Sequence, residues 1–143
     1  AYLTWLLDGR FYTYRFVPYG ETQVILGESG ANDPAFNLRR EPIIIQRVDN
    51  SDRATFVSVL ESHGLSDGAA ELVVGSTSQI ASLRHVAMGG YDLVVVETIG
   101  GVKAALALSY DNDAAKQHAI TFEGQELSWT GFAARIELAG QGD

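Results

Sequence analysis

The second half of the chain reads as apolar side chains at every other position, cut at short intervals by glycine reversals. A stretch near Gln79 to Met88 runs into Gly89-Gly90, and Tyr91 to Ile99 follows as a nearly continuous apolar run. Gly100-Gly101 leads into Val102, Ala104, Leu106, Leu108 and Tyr110, which share one side of a strand by strict alternation. Lys103, Ala105, Ala107 and Ser109 lie opposite. After Asp111-Asn112-Asp113, Gln117 to Phe122, Gln125 to Trp129 and Phe132 to Leu138 follow, separated by Glu123-Gly124 and Thr130-Gly131. Two-residue glycine turns between alternating segments are hairpin signals, and period-two alternation requires a sheet with one face packed. No window of helical length shows a glycine-free apolar stripe at i, i+3, i+4, i+7; the nearest, Asp113 to His118, is too short.

The first half uses longer connections. Leu3 to Val17 is strand-rich and stops at Pro18; a strand surrounds Thr22 to Leu26; Pro42 begins another through Val48. Asp49-Asn50-Ser51-Asp52 is a polar turn, Ala54 to Ser62 returns as a Thr-, Phe- and Val-bearing strand, and Gly64 to Ala70 reads as an exposed loop. The pattern predicts an all-β fold, an antiparallel β-sandwich with a hairpin meander in its second half, over a single domain of residues 1–143. Val95, Leu106, Leu108, Ile120, Phe122, Trp129, Phe132 and Ile136 are the expected inward side chains, with Phe132→Ala costing about 3–5 kcal/mol.

Charge narrows the function. Eighteen acidic against ten basic residues give a net charge of −8, which argues against a sequence-blind grip on nucleic acid or an anionic membrane. A polyanion contact would have to be local, and the arginines gather at Arg39, Arg40, Arg47 and Arg53. With no cysteine there is neither a disulfide framework nor a thiolate nucleophile. The three histidines, His63, His85 and His118, are not at metal-ligand spacing, and no Gly-x-Ser-x-Gly elbow occurs. His63, between a strand and a glycine turn, is the one best placed to face a cleft. No catalytic or metal-binding residue is assigned.

Several segments carry a resemblance. Tyr2-Leu3-Thr4-Trp5, Arg10-Phe11-Tyr12, the turn-rich Gly30 to Pro42 and Thr55 to Gly64, continued to Trp129-Thr130-Gly131, resemble the C-terminal β-domain of bacterial oligoalginate lyases. Those enzymes are heparinase II/III-like polysaccharide lyases. The resemblance implies a supporting domain for a lyase that cleaves alginate or oligoalginate by β-elimination. It implies, as partner, a catalytic α-helical toroid in the same polypeptide, and a periplasmic or secreted setting. The asparagine, histidine and tyrosine that act in that family sit in the toroid and in earlier strands of the β-domain, and a structural zinc belongs to those earlier strands. None is matched here, so no cofactor is expected in this chain. A start at Ala1, without an initiator methionine, fits a piece of a longer protein.

Asn37, Arg39, Arg40 and His63 are the candidate contacts to substrate or to a neighbouring surface. Arginine suits bidentate contact with a carboxylate, on a uronate or on an Asp or Glu across a domain boundary. Tethering of the loop to its own backbone or to Glu41 ranks first, a domain or subunit contact second and sugar binding third. Two rival classes stay open: a carbohydrate-binding module, suggested by Trp5, Phe11, Tyr12, Tyr14, Phe16 and Tyr19, and a ligand-free oligomerisation domain. Burial of those rings would count against the module, because sugars stack on exposed aromatic faces.

Overall fold

A computed structural model describes residues 1–30 and 40–139. Thirteen strands run through them: β1 Tyr2–Leu7, β2 Arg10–Val17, β3 Thr22–Gly30, β4 Arg40–Val48, β5 Val57–His63, β6 Leu65–Asp67, β7 Leu72–Val74, β8 Ile80–Met88, β9 Tyr91–Thr98, β10 Lys103–Ser109, β11 Gln117–Phe122, β12 Gln125–Thr130 and β13 Ala133–Leu138. Every pairing is antiparallel. The all-β, antiparallel expectation is met, including the meander of the second half.

Packing divides the chain into two compact units, Ala1–Val17 with Val57–Asp143, and Pro18–Phe56. The first holds a three-stranded sheet in the order β1-β2-β5, a four-stranded sheet β13-β10-β9-β8, and the hairpins β11-β12 and β6-β7. The second holds the β3-β4 hairpin.

Turn chemistry explains the hairpins. Asp8-Gly9 and Glu123-Gly124 both place two successive residues at positive φ, the requirement of a type I′ turn whose twist matches the strands it joins. The hairpin at Asp8-Gly9 splits the strand-rich segment before Pro18 into β1 and β2. Gly64 to Ala70, expected as a loop, instead contributes β6, which pairs with β7 from Leu65↔Val74 to Asp67↔Leu72. Six residues of backbone are too few to show a strand period, and Ser66 and Asp67 disguise it.

The core of the first unit lies between the β13-β10-β9-β8 sheet and the β11-β12 hairpin. Leu93, Val95, Ala105 and Ala107 from the sheet meet Phe122, Leu127 and Trp129 from the hairpin, with Leu138 completing the cluster. This reverses the expected sidedness of β10: Leu106 is 42% exposed, whereas Ala105 and Ala107 are fully buried. Alternation correctly grouped Ala104, Leu106 and Leu108, but on the opposite side of the sheet from the core. The indole of Trp129 and the ring of Phe122 supply the volume between the layers, so small alanines opposite them allow close approach. Phe132, also expected inside, precedes β13 and is 48% exposed. Val95, Phe122 and Trp129 are buried, and Ile120 and Ile136 pack against the cluster, as expected.

Candidate functional site

Of the four candidate contact residues, Asn37 and Arg39 lie outside the described residues. Arg40 opens β4 opposite Gly30 in the second unit. Its guanidinium donates to Glu28 on the neighbouring strand at 3.4 Å, with both side chains mostly in solvent. Arg47 Nε donates to Asp49 at 2.7 Å. These are local carboxylate contacts at the surface.

His63 closes β5 in the first unit and is buried. Its Nδ1 lies 2.8 Å from the carbonyl oxygen of Gly75, which can only accept, so Nδ1 carries the proton. In the neutral ring Nε2 then accepts from Thr13 Oγ1 at 2.9 Å, and Thr13 is itself in contact with Thr4 Oγ1 at 2.8 Å. The imidazole also stacks on Phe11, centroids 6.0 Å apart. Next to it Gly64 has φ +59°, and a Cβ there would lie 2.2 Å from the Gly75 carbonyl oxygen. Glu61, two residues earlier, accepts from Ser78 Oγ and from the Gln79 amide. The Gly75 and Glu61 contacts fasten the segment from Gly64 to Gln79 onto β5, while the Nε2 contact ties β5 to Thr13 of β2, so both nitrogens of His63 are engaged.

A second polar knot escaped sequence reading. Asp92, next to the apolar run Leu93–Val96 of β9, is buried; His85 Nε2 donates to its Oδ1 at 2.6 Å and Tyr110 Oη to its Oδ2 at 2.7 Å. Burial pushes the Asp92 carboxyl up, but the hydrogen bonds from Tyr110 and His85 and the charge of His85 together outweigh it and hold the carboxyl below its ordinary range. The Gly89-Gly90 reversal places Ala87 opposite Asp92 and so sets His85 one pair further along the same face. An acid beside the apolar run Leu93–Val96, with a histidine within hairpin reach, was the available signal.

At the other side of the sheet His118 packs against Tyr91 and Trp129. Trp129 Nε1 donates to the Gly131 carbonyl, while His118 Nε2 is buried without a partner among the described residues. Gln117, His118, Ser128 and Thr130 line a cleft of about 420 Å³ there. Among the described residues no group of three His, Asp or Glu side chains converges on a metal-sized site.

The aromatic stripe of β2 does not form an open platform. Phe16 is buried, Tyr12 and Tyr14 are half-buried, and the rings stack in pairs: Trp5 on Tyr12 at 5.9 Å and Tyr14 on Phe16 at 5.8 Å. Each stacked ring turns one face to its neighbour and only Tyr19 of the set is exposed, at 37%, which counts against a carbohydrate-binding module.

The fold and these contacts define an antiparallel all-β domain whose polar clusters tie strands and loops together. Residues 100–136 match the model of the family described as "Exo-oligoalginate lyase-like, C-terminal domain". The chain is 43% identical over 135 residues to an alginate lyase of Stenotrophomonas maltophilia, and 41% identical over 136 residues to an exo-oligoalginate lyase of Saccharophagus degradans. These alignments take in 94% and 93% of this chain but only 18% of each relative. Nearly the whole chain is thus similar to one part of two lyases named for alginate, and residues 100–136 carry the match to the oligoalginate lyase C-terminal domain.

Proposed function

We propose that the chain is the C-terminal supporting β-domain of a longer polysaccharide lyase that cleaves alginate or oligoalginate by β-elimination. The observation that carries this reading is the match of nearly the whole chain to less than a fifth of two lyases named for that substrate. Eliminative cleavage of a uronate needs a group that neutralises the sugar carboxylate, a base that takes the proton at C5, and an acid that protonates the leaving oxygen. In this reading those groups, and any structural zinc, belong to the remainder of the polypeptide, where an α-helical toroid is the catalytic partner.

The polar clusters support a scaffolding role. His63 and Asp92 are buried with their hydrogen bonds directed at their own unit, which holds strands and a loop in fixed register. For the arginine loop, tethering stands first: Arg40 reaches Glu28 on its own hairpin. Contact of Asn37, Arg39, Arg40 or His63 with a neighbouring domain comes second, and with the uronate chain third.

The test is an assay of the full polypeptide and of residues 1–143 alone on oligoalginate, following the ultraviolet absorbance of the unsaturated uronate product. Product from the full polypeptide and none from the short chain is the expected result. Product from residues 1–143 alone would overturn the scaffolding role.

A further inference from the structure

The β3-β4 hairpin has a composition that a freely solvated ribbon does not need. Its register pairs Leu26 with Ile44 and Ile25 with Ile45, and sets Val24 opposite Gln46 and Gly27 opposite Ile43. Alternation puts Val24, Leu26 and Ile44 on one face of the ribbon and Ile25, Ile43 and Ile45 on the other. Five of these six are exposed, from 38% for Val24 and Ile44 to 62% for Leu26. No third strand joins the pair among the described residues. A two-stranded ribbon is marginal in water unless something covers it, and a contiguous set of exposed aliphatic side chains marks a contact surface.

We propose that this hairpin is a docking arm that inserts into an apolar cleft of the remainder of the lyase polypeptide. The proposal rests on the reading of the chain as part of a longer lyase, and it names the surface through which that part is held. Two observations choose this occupant over a second copy of the chain. Apolar residues on both faces call for cover on both sides, which a cleft supplies, whereas a face-to-face pair of identical hairpins would cover one face and leave the other wet. The matched relatives also carry more than four-fifths of their length outside the aligned region, so there is ample polypeptide to form such a cleft. The ends of the arm fit the same picture. Glu28, Arg40 and Glu41 lie at one end and Arg47 and Asp49 at the other, a charged rim around an apolar middle, as interfaces are commonly built.

Carbene footprinting of the full polypeptide tests this, with labelling of each residue compared between the folded and urea-unfolded protein. For a docked arm, labelling at Val24–Leu26 and Ile43–Ile45 falls far below the fractions set by the exposures above. Labelling that retains about 38–62% of the unfolded level at Val24, Leu26, Ile44 and Ile45 would overturn the proposal. So would protection that disappears when dilution, followed by sedimentation, takes an oligomer to monomer, because that result assigns the arm to a second copy. The same preparation assayed on oligoalginate separates the two readings. A protected arm without uronate release sustains docking and removes the lyase reading; uronate release with an unprotected arm overturns docking alone.

Discussion

Asp92 and His85 are held together across the β8-β9 hairpin by a 2.6 Å hydrogen bond from Nε2 to Oδ1, inside a face that is otherwise aliphatic. A carboxylate there is tolerable only because both oxygens have donors, the second being Tyr110. Asp92→Asn keeps the shape and removes the charge. It is expected to lower stability by about 1–3 kcal/mol at neutral pH, read from the denaturant midpoint. The folded-state pKa of Asp92 lies below its ordinary value of 3.8, so the stabilisation is present above that value and is lost as pH falls through the folded pKa. The gap between wild type and variant should therefore narrow on acidification below about pH 4. A gap that does not change with pH would show that the charge contributes nothing.

Gly64 is pressed against the carbonyl oxygen of Gly75 at positive φ. Gly64→Ala meets both a clash and backbone strain, for an expected loss of roughly 2–5 kcal/mol. Gly124→Ala is the matched control: its φ is +79° and nothing lies within 4 Å of the new methyl group, leaving only strain of about 1–2 kcal/mol. Equal losses in thermal melts of the two variants would contradict the close packing of the β6-β7 segment on β5.

Two hydrophobic truncations separate the observed core from the expected one. Leu127 is 3% exposed and Leu127→Ala should cost about 2–5 kcal/mol. Phe132 is nearly half exposed, so Phe132→Ala should cost well under the 3–5 kcal/mol of a buried phenylalanine, about 1 kcal/mol. Urea unfolding of both variants decides it; a larger loss at Phe132 would restore the inward placement that alternation suggested.

That reversal shows where the sequence was legible. Strand positions, hairpin turns and the residues sharing a face of β9, β10 and β13 follow from period-two spacing and glycine placement. Which face is inward does not, when both faces are apolar: Leu106 and Leu108 are bulkier than Ala105 and Ala107, yet the alanines are buried because Trp129 and Phe122 come from the other layer. The candidate site was legible as residue types only. Nothing local in Glu61-Ser62-His63-Gly64 announces that the histidine bridges Thr13 and Gly75, since both partners come from distant parts of the chain. The Asp92 knot was hidden for the same reason, as Tyr110 reaches it from just beyond the end of β10.

Arg40 and Glu28 form an exposed pair, and such pairs are worth between about 0 and 1 kcal/mol. Arg40→Ala should leave the thermal midpoint nearly unchanged. In the full polypeptide, KM for oligoalginate should also hold steady if the arginine tethers its own hairpin. A clear rise in KM with kcat preserved would move Arg40 from tether to substrate contact.

The central claim is that this β-domain supports an eliminative enzyme whose bond-breaking groups lie elsewhere in the polypeptide. Its most direct test is the rate of unsaturated uronate release from oligoalginate by the full polypeptide beside that of purified residues 1–143. Steady release by the former and none by the latter is the result expected here; turnover by residues 1–143 alone would contradict it.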